Sequence, residues 1–256
     1  MGSTLHRPLV ISHRTNEGSA PENSRVGIAR AIEDGCDVVE LDVRATCDRV
    51  LVLMHDETLE RTAGDPCAVL DVTYGELGML RSGGPQGYPP QRIPTLAEAY
   101  AAVLAPAGTP RIVVELDIPA RGIEADVTGL IRGLHAEAYL LFTPSSEVEV
   151  RLTQRLCPEV PVLFDITPEV LSADELVRRI RLAASLGVRA INPTFHALTP
   201  EAIAIAHDLG RKVLWTMNAP EDLTCMLALG VDAITTDHPH RLIEMIEARE
   251  PSNSPR

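Results

Sequence analysis

Short apolar segments alternate with amphipathic ones along almost the whole chain, and this rhythm restricts the fold more than any other feature. The apolar segments are Leu9–Ser12, Asp37–Val43, Ile112–Ile118, Tyr139–Phe142, Pro161–Phe164, Ala190–Asn192, Lys212–Met217 and Asp232–Thr236. Helical periodicity fills the intervals near Glu22–Asp34, Thr95–Leu104, Ile123–Leu134, Glu147–Leu156, Ala173–Leu186, Pro200–Leu209, Pro220–Leu229 and His238–Ala248. Unbroken apolar runs read as strands buried on both faces, as in a parallel sheet covered by helices. Gly35, Gly187, Gly210 and Gly230 each follow a helix where a C-terminal cap belongs. Eight strand–helix units predict the α/β class and a (β/α)₈ TIM barrel. The rival, a doubly wound open sheet, is weaker because no Gly-x-Gly-x-x-Gly follows the first strand.

One stretch breaks the rhythm. Residues 56–94 contain Gly83-Gly84 and Pro89-Pro90 and little periodicity. They read as an insertion over the barrel mouth, after a short extra strand at Leu51–Met54. The 256 residues are then expected to form one barrel domain, a length and an apolar share (45%) ample for a large core.

In such barrels chemistry sits at the C-terminal ends of the strands. Sorting those ends places His13 and Arg14 on the first strand, Glu40 and Asp42 on the second with His55 after it, and Glu115 and Asp117 on the third. Side chains two apart on a strand share a face, so Glu40 pairs with Asp42, and Glu115 with Asp117. Two imidazoles flanking paired carboxylates suit metal-assisted acid–base chemistry. Phe142, Phe164, Phe195 and Trp215 lie at or near the later strand ends, with Asn192, Asn218 and Asp237. Aromatic residues are few (one Trp, four Tyr, three Phe), so four near the mouth suggest an apolar wall for a substrate, against the simpler reading that they fill the core.

The formal net charge of −13 disfavours nucleic acid and anionic lipid surfaces as partners. An anionic small substrate would need a local positive field, from a cation or an arginine. No apolar run reaches the roughly 20 residues needed to span a bilayer, so no stable membrane insertion is expected. The five cysteines are scattered without a Cys-x-x-Cys, and no long apolar signal segment opens the chain. The expected compartment is the cytoplasm.

The motifs His13-Arg14, Pro21-Glu22-Asn23-Ser24, Asp37 to Asp48 (with Glu40-Leu41-Asp42) and Val52 to Thr62 (with His55-Asp56 and Arg61-Thr62) resemble those of glycerophosphodiester phosphodiesterases. Ile112 to Glu115, Leu214 to Asn218 and Gly230 to Pro239 agree. The resemblance implies a (β/α)₈ barrel, one divalent cation (Mg²⁺ or Ca²⁺) and hydrolysis of a small phosphodiester. It implies metal ligation by Glu40, Asp42 and Glu115, acid–base roles for His13 and His55, and phosphate contact by Arg14. Asn23, Asp117, Phe142, Phe164, Trp215 and Asn218 are expected around the substrate. Two departures stand out: Thr15 replaces a glycine after His-Arg, and Asp117 replaces a lysine that faces the substrate phosphate in the family. The alternatives are a lyase or cyclising enzyme of the same fold acting on a more apolar substrate, and a non-catalytic binding barrel.

Overall fold

A computed structural model describes residues 7–15, 18, 20–77, 81–82, 89, 91–104, 112–118, 121–166, 172–193 and 198–249. Eleven strands are present among these residues: β1 (Leu9–Ser12), β2 (Val38–Ala45), β3 (Leu51–Leu53), β4 (Arg81–Ser82), β5 (Gln91–Arg92), β6 (Val113–Asp117), β7 (Leu140–Phe142), β8 (Leu163–Asp165), β9 (Ala190–Asn192), β10 (Lys212–Thr216) and β11 (Ala233–Thr236). Eight of them are parallel neighbours in the order β7-β6-β2-β1-β11-β10-β9-β8. A parallel bridge from Phe142 to Val162 brings the two ends together, so the sheet is a nearly closed barrel. The helices that follow the barrel strands are α1 (Arg25–Glu33), α4 (Leu96–Leu104), α5 (Glu124–Gly133), α6 (Glu147–Leu156), α7 (Ala173–Ser185), α8 (Pro200–Asp208), α9 (Pro220–Leu229) and α10 (Pro239–Glu247). Ser24, Ser146, Ser172 and Thr199 accept backbone N–H bonds as N-caps, which sets where the helices begin.

Strand parity divides the core in two. Ile11, Val38, Leu163, Ala190, Leu214 and Ala233, with Val113 and Leu141 packed against them, form one cluster with a residue from each barrel strand. This is the floor of the barrel interior. Their neighbours along each strand, among them Val39, Leu41, Val114, Leu116, Phe142, Phe164, Val213 and Trp215, belong to the larger cluster beneath the helices. Side chains two residues beyond the floor must therefore rise into the mouth.

The extra strand and the insertion expected between β2 and α4 carry secondary structure of their own among the described residues. Strand β3 pairs antiparallel with the end of β2. Helices α2 (Glu60–Ala63) and α3 (Tyr74–Leu77) follow, and β4 pairs with β5. Val52, Met54, Leu59, Val69, Leu77 and Ile93 form a small core of their own. Residues 78–80, 83–88 and 90 of this stretch, Gly83 and Gly84 included, lie outside the described residues. Among the described residues no helix is long and apolar enough to cross a membrane.

Candidate active site

The residues two positions past the barrel floor are His13, Glu40, Glu115, Thr143, Asp165, Asn192, Thr216 and Thr235. All eight line a single cavity of about 410 Å³, with Arg14, Asp117 and Trp215. Thus the period-2 geometry that buries one ring of apolar residues lifts a ring of polar ones into the mouth.

The carboxylates meet in register. Glu40 pairs with Glu115, and Asp42 with Asp117, across the β2–β6 ladder. Glu40, Asp42 and Glu115 are buried, at 6%, 2% and 5% exposure. Burial, then the charges of Asp42 and Glu115, push the Glu40 carboxyl well above its usual range. Burial also carries Glu115 to about 7, with Asp165 and Asp42 adding to it against the hydrogen bond from Thr143. Asp117 reaches about 7 through burial and the charges of Asp42, Asp165 and Glu115. Close carboxylates in a dry site resist ionising together unless a cation joins them.

Some of their oxygens are already bonded. Glu40 Oε2 accepts from the Arg14 backbone N–H at 2.7 Å. Asp42 Oδ2 accepts from Asn23 Nδ2 at 2.7 Å and lies 3.7 Å from Arg14 Nε, while the Asp42 N–H donates to Asn23 Oδ1. Glu115 Oε1 accepts from Thr143 Oγ1 at 2.9 Å, but its buried Oε2 has no hydrogen-bond partner among the described residues. Among those residues no three His, Cys, Asp or Glu groups close into a ready-made cation cage. The orphaned oxygen and the hard, anionic donor set nevertheless fit a divalent cation at Glu40, Asp42 and Glu115.

Each histidine is backed by a carboxylate. His13 Nδ1 lies 2.6 Å from Asp237 Oδ1, and His55 Nδ1 lies 2.7 Å from Asp56 Oδ1. Hydrogen bonding from Arg61, then from His55, holds Asp56 down at about 2 against burial. Burial would raise Asp237, but the hydrogen bond from His13 and nearby positive charge outweigh it and keep it low. Both carboxylates are thus ionised acceptors, so each Nδ1 carries the proton. His55 is not on the wall of the cavity. It follows Met54, whose N–H donates to Asp42 O, and its own carbonyl accepts from Arg44 Nε and Nη2.

The turn after β1 adopts an unusual backbone. Arg14 and Thr15 have φ of 43° and 59°, in the left-handed region. A glycine, which the resemblance implies at position 15, would sit there without penalty; a β-branched threonine is strained by about 1–2 kcal/mol. Thr15 Oγ1 compensates by donating to Arg14 O and accepting from Ser24 N–H. A Cβ at Gly27 would come within 2.1 Å of Thr15 O, so only glycine lets α1 approach this turn.

The other expected substrate contacts fare differently. The apolar wall is a correction: Phe142 and Phe164 are each 1% exposed and pack beneath the helices, because they have the opposite strand parity from the site residues. Phe142 touches only an adjoining cavity of about 260 Å³, which shares Asp117, Thr143 and Asp165 with the mouth. Trp215 also belongs to the outer core, although it borders the mouth. Asn218 stands behind Asp237, donating to Oδ2 at 2.5 Å and accepting from its N–H at 2.8 Å. Asn23 stands behind Asp42. Phe195 lies outside the described residues. Asp165 and the Glu22–Arg61–Asp56 bonds were missed; only Asp56, adjacent to His55, carried a local signal.

The profile of the Glycerophosphoryl diester phosphodiesterase family matches residues 13–241. A glycerophosphodiester phosphodiesterase from Caldanaerobacter subterraneus subsp. tengcongensis is 29% identical over 248 residues, 94% of this chain and 98% of that protein. A crystallised protein of Silicibacter pomeroyi assigned to the same family is 27% identical, with a TM-score of 0.83 over 96% of this chain and 95% of that one. An Oleispira antarctica phosphodiesterase, crystallised with its product sn-glycerol-3-phosphate, shares the fold at 24% identity, with a TM-score of 0.80 over 94% of this chain and 97% of that one. Matched over nearly its whole length, the chain belongs to the glycerophosphoryl diester phosphodiesterase family, enzymes of the phosphoric diester hydrolase class.

Proposed function

We propose that the protein hydrolyses a small glycerophosphodiester to an alcohol and a phosphomonoester, using Glu40, Asp42 and Glu115 to hold one Mg²⁺ or Ca²⁺. The observation that carries this reading is the Glu40–Glu115 register in the cavity that His13 also lines, with a buried Glu115 Oε2 that has no hydrogen-bond partner among the described residues. When bound, the cation would neutralise charge developing on the phosphoryl oxygens. His13 and His55 act as the acid–base pair: one accepts a proton from the attacking water at Nε2, and the other protonates the leaving oxygen. Arg14, at the mouth, supplies positive charge to the phosphate while its backbone N–H orients Glu40. The product sn-glycerol-3-phosphate of the Oleispira antarctica barrel fits the same product class.

The reading of a more apolar substrate rests on Asp117 in place of a lysine and on the aromatic rim, of which Phe164 lies in the core while Trp215 borders the mouth and Phe142 the adjoining cavity. The decisive experiment is ³¹P NMR of glycerophosphocholine turnover with Mg²⁺, with Ca²⁺ and with EDTA. A phosphomonoester that accumulates only with cation is expected. A cyclic phosphate as the final product would select the cyclising alternative, and turnover undiminished by EDTA would remove the cation.

A further inference from the structure

We propose that Arg61 is a positioning residue: it clamps Asp56 to Glu22 and thereby holds the His55 ring in its working orientation. The proposal rests on the acid–base reading of His55 given above.

His55 sits just after β3, in the segment between β2 and α4, with its side chain 38% exposed. Packing alone does not fix such a ring. Two anchors do. Arg44 holds its carbonyl from β2, and Asp56 Oδ1 holds its Nδ1. Asp56 is itself a loop residue, and its other oxygen, Oδ2, accepts from Arg61 Nε at 2.6 Å. The remaining edge of the same guanidinium donates twice to Glu22, at 2.6 and 2.8 Å. Glu22 is only 8% exposed, and precedes Asn23, which grips Asp42 from both sides. One dipeptide after β1 therefore registers two parts of the site: Asn23 sets a carboxylate of the barrel, and Glu22, through Arg61, sets a histidine carried by another segment.

The chemistry requires arginine. Its planar fork presents Nε and a bidentate edge at once, whereas a lysine offers a single point charge that cannot span two carboxylates in fixed geometry. Arg61 is 46% exposed, but its partner Glu22 is only 8% exposed, so removing the guanidinium strands a buried charge and costs stability as well. A fall in kcat in the folded protein, non-additive with loss of His55, is what marks the positioning role.

The test is a double-mutant cycle on glycerophosphocholine at saturating cation. Arg61→Ala is expected to lower kcat about 10- to 100-fold, the range seen when the partner behind a functional histidine is removed, with KM nearly unchanged. In the His55→Ala background the same substitution should have no further effect, because both act through one ring. Arg61→Lys and Glu22→Gln, which preserve most of the side-chain volume, should show the same non-additivity with smaller losses, should Arg61→Ala fold poorly. Full additivity with His55→Ala, or an unchanged kcat in the Arg61 variants, would overturn the proposal. Wild-type turnover in His55→Ala itself would instead remove the acid–base reading on which the proposal stands.

Discussion

His13 Nδ1 and Asp237 Oδ1 lie 2.6 Å apart across the seam where the first and last strands of the barrel pair. The contact joins residues 224 positions apart in the chain. Asp237 is set in turn by Asn218, which bonds both its side chain and its backbone N–H. In the acid–base role proposed for His13, ionised Asp237 would fix the proton on Nδ1 and stabilise the imidazolium formed when Nε2 takes a proton. Asp237→Asn keeps the shape and removes that charge. The expected outcome is a fall in kcat of about tenfold or more, a share of the about 10²–10⁴ that acid–base catalysis supplies. An unchanged kcat in a folded variant would separate Asp237 from His13's role.

The acidic mouth makes stability depend on pH in a predictable sense. Glu115 and Asp117 are held near 7 when folded, against about 4 in the unfolded chain. Between roughly pH 4 and pH 7 the folded state therefore binds more protons, and stability falls as pH rises through that window. The depressed carboxyls act elsewhere. Asp56, at about 2, contributes stability that is present above about pH 4 and is lost as pH falls toward 2. The metal-free protein should accordingly melt at a lower temperature at pH 8 than at pH 5, and added Mg²⁺ or Ca²⁺ should raise Tm more at pH 8. A larger cation-induced shift at pH 5 would contradict this account.

Glu115→Gln isolates the orphaned oxygen. It removes one buried charge and leaves an acceptor for Thr143. Without cation, the variant should melt higher than the wild type at pH 8, because a group that resists ionising is gone. With cation it should gain little, because a hard anionic ligand is gone too. Calorimetric titration with Mg²⁺ or Ca²⁺ would register at least about a tenfold weaker affinity. An equal affinity would place the cation away from Glu115.

Much of the barrel was legible because strands buried on both faces leave apolar runs, and helix caps leave Ser, Thr, Pro and Gly at fixed offsets. Glu40, Asp42, Glu115 and Asp117 could be paired from spacing alone, since a strand's period is two. The same rule, applied to the later strands, would have turned Phe142 and Phe164 away from the mouth, although Trp215, of the same parity, still borders it. Ending the fifth strand at Phe164 also hid Asp165, whose parity matches Leu163 on the barrel floor. The contacts His13–Asp237 and Arg61–Glu22 had no local signal, because barrel closure and the docking of a separate small core create them.

Asp117 carries the last prediction, since the family resemblance implies a lysine at this position. Its Cα is in register with Asp42, it lines both the mouth and the adjoining cavity, and burial with three neighbouring acids opposes its ionisation. The family's lysine would bring a positive charge to the phosphate from this position. With an aspartate there, Arg14 and the proposed cation would have to supply that field, and a dianionic or strongly charged phosphate would be bound less well. We expect weak wild-type activity on glycerophosphocholine, and Asp117→Lys to raise kcat/KM by about tenfold, the equivalent of about 1.4 kcal/mol of transition-state stabilisation. Asp117→Asn, which removes the charge without reversing it, should fall between the two. Steady-state kinetics of the three proteins at fixed cation decide the matter. A highly active wild type that loses activity on gaining the lysine would mean that Asp117 serves the substrate directly.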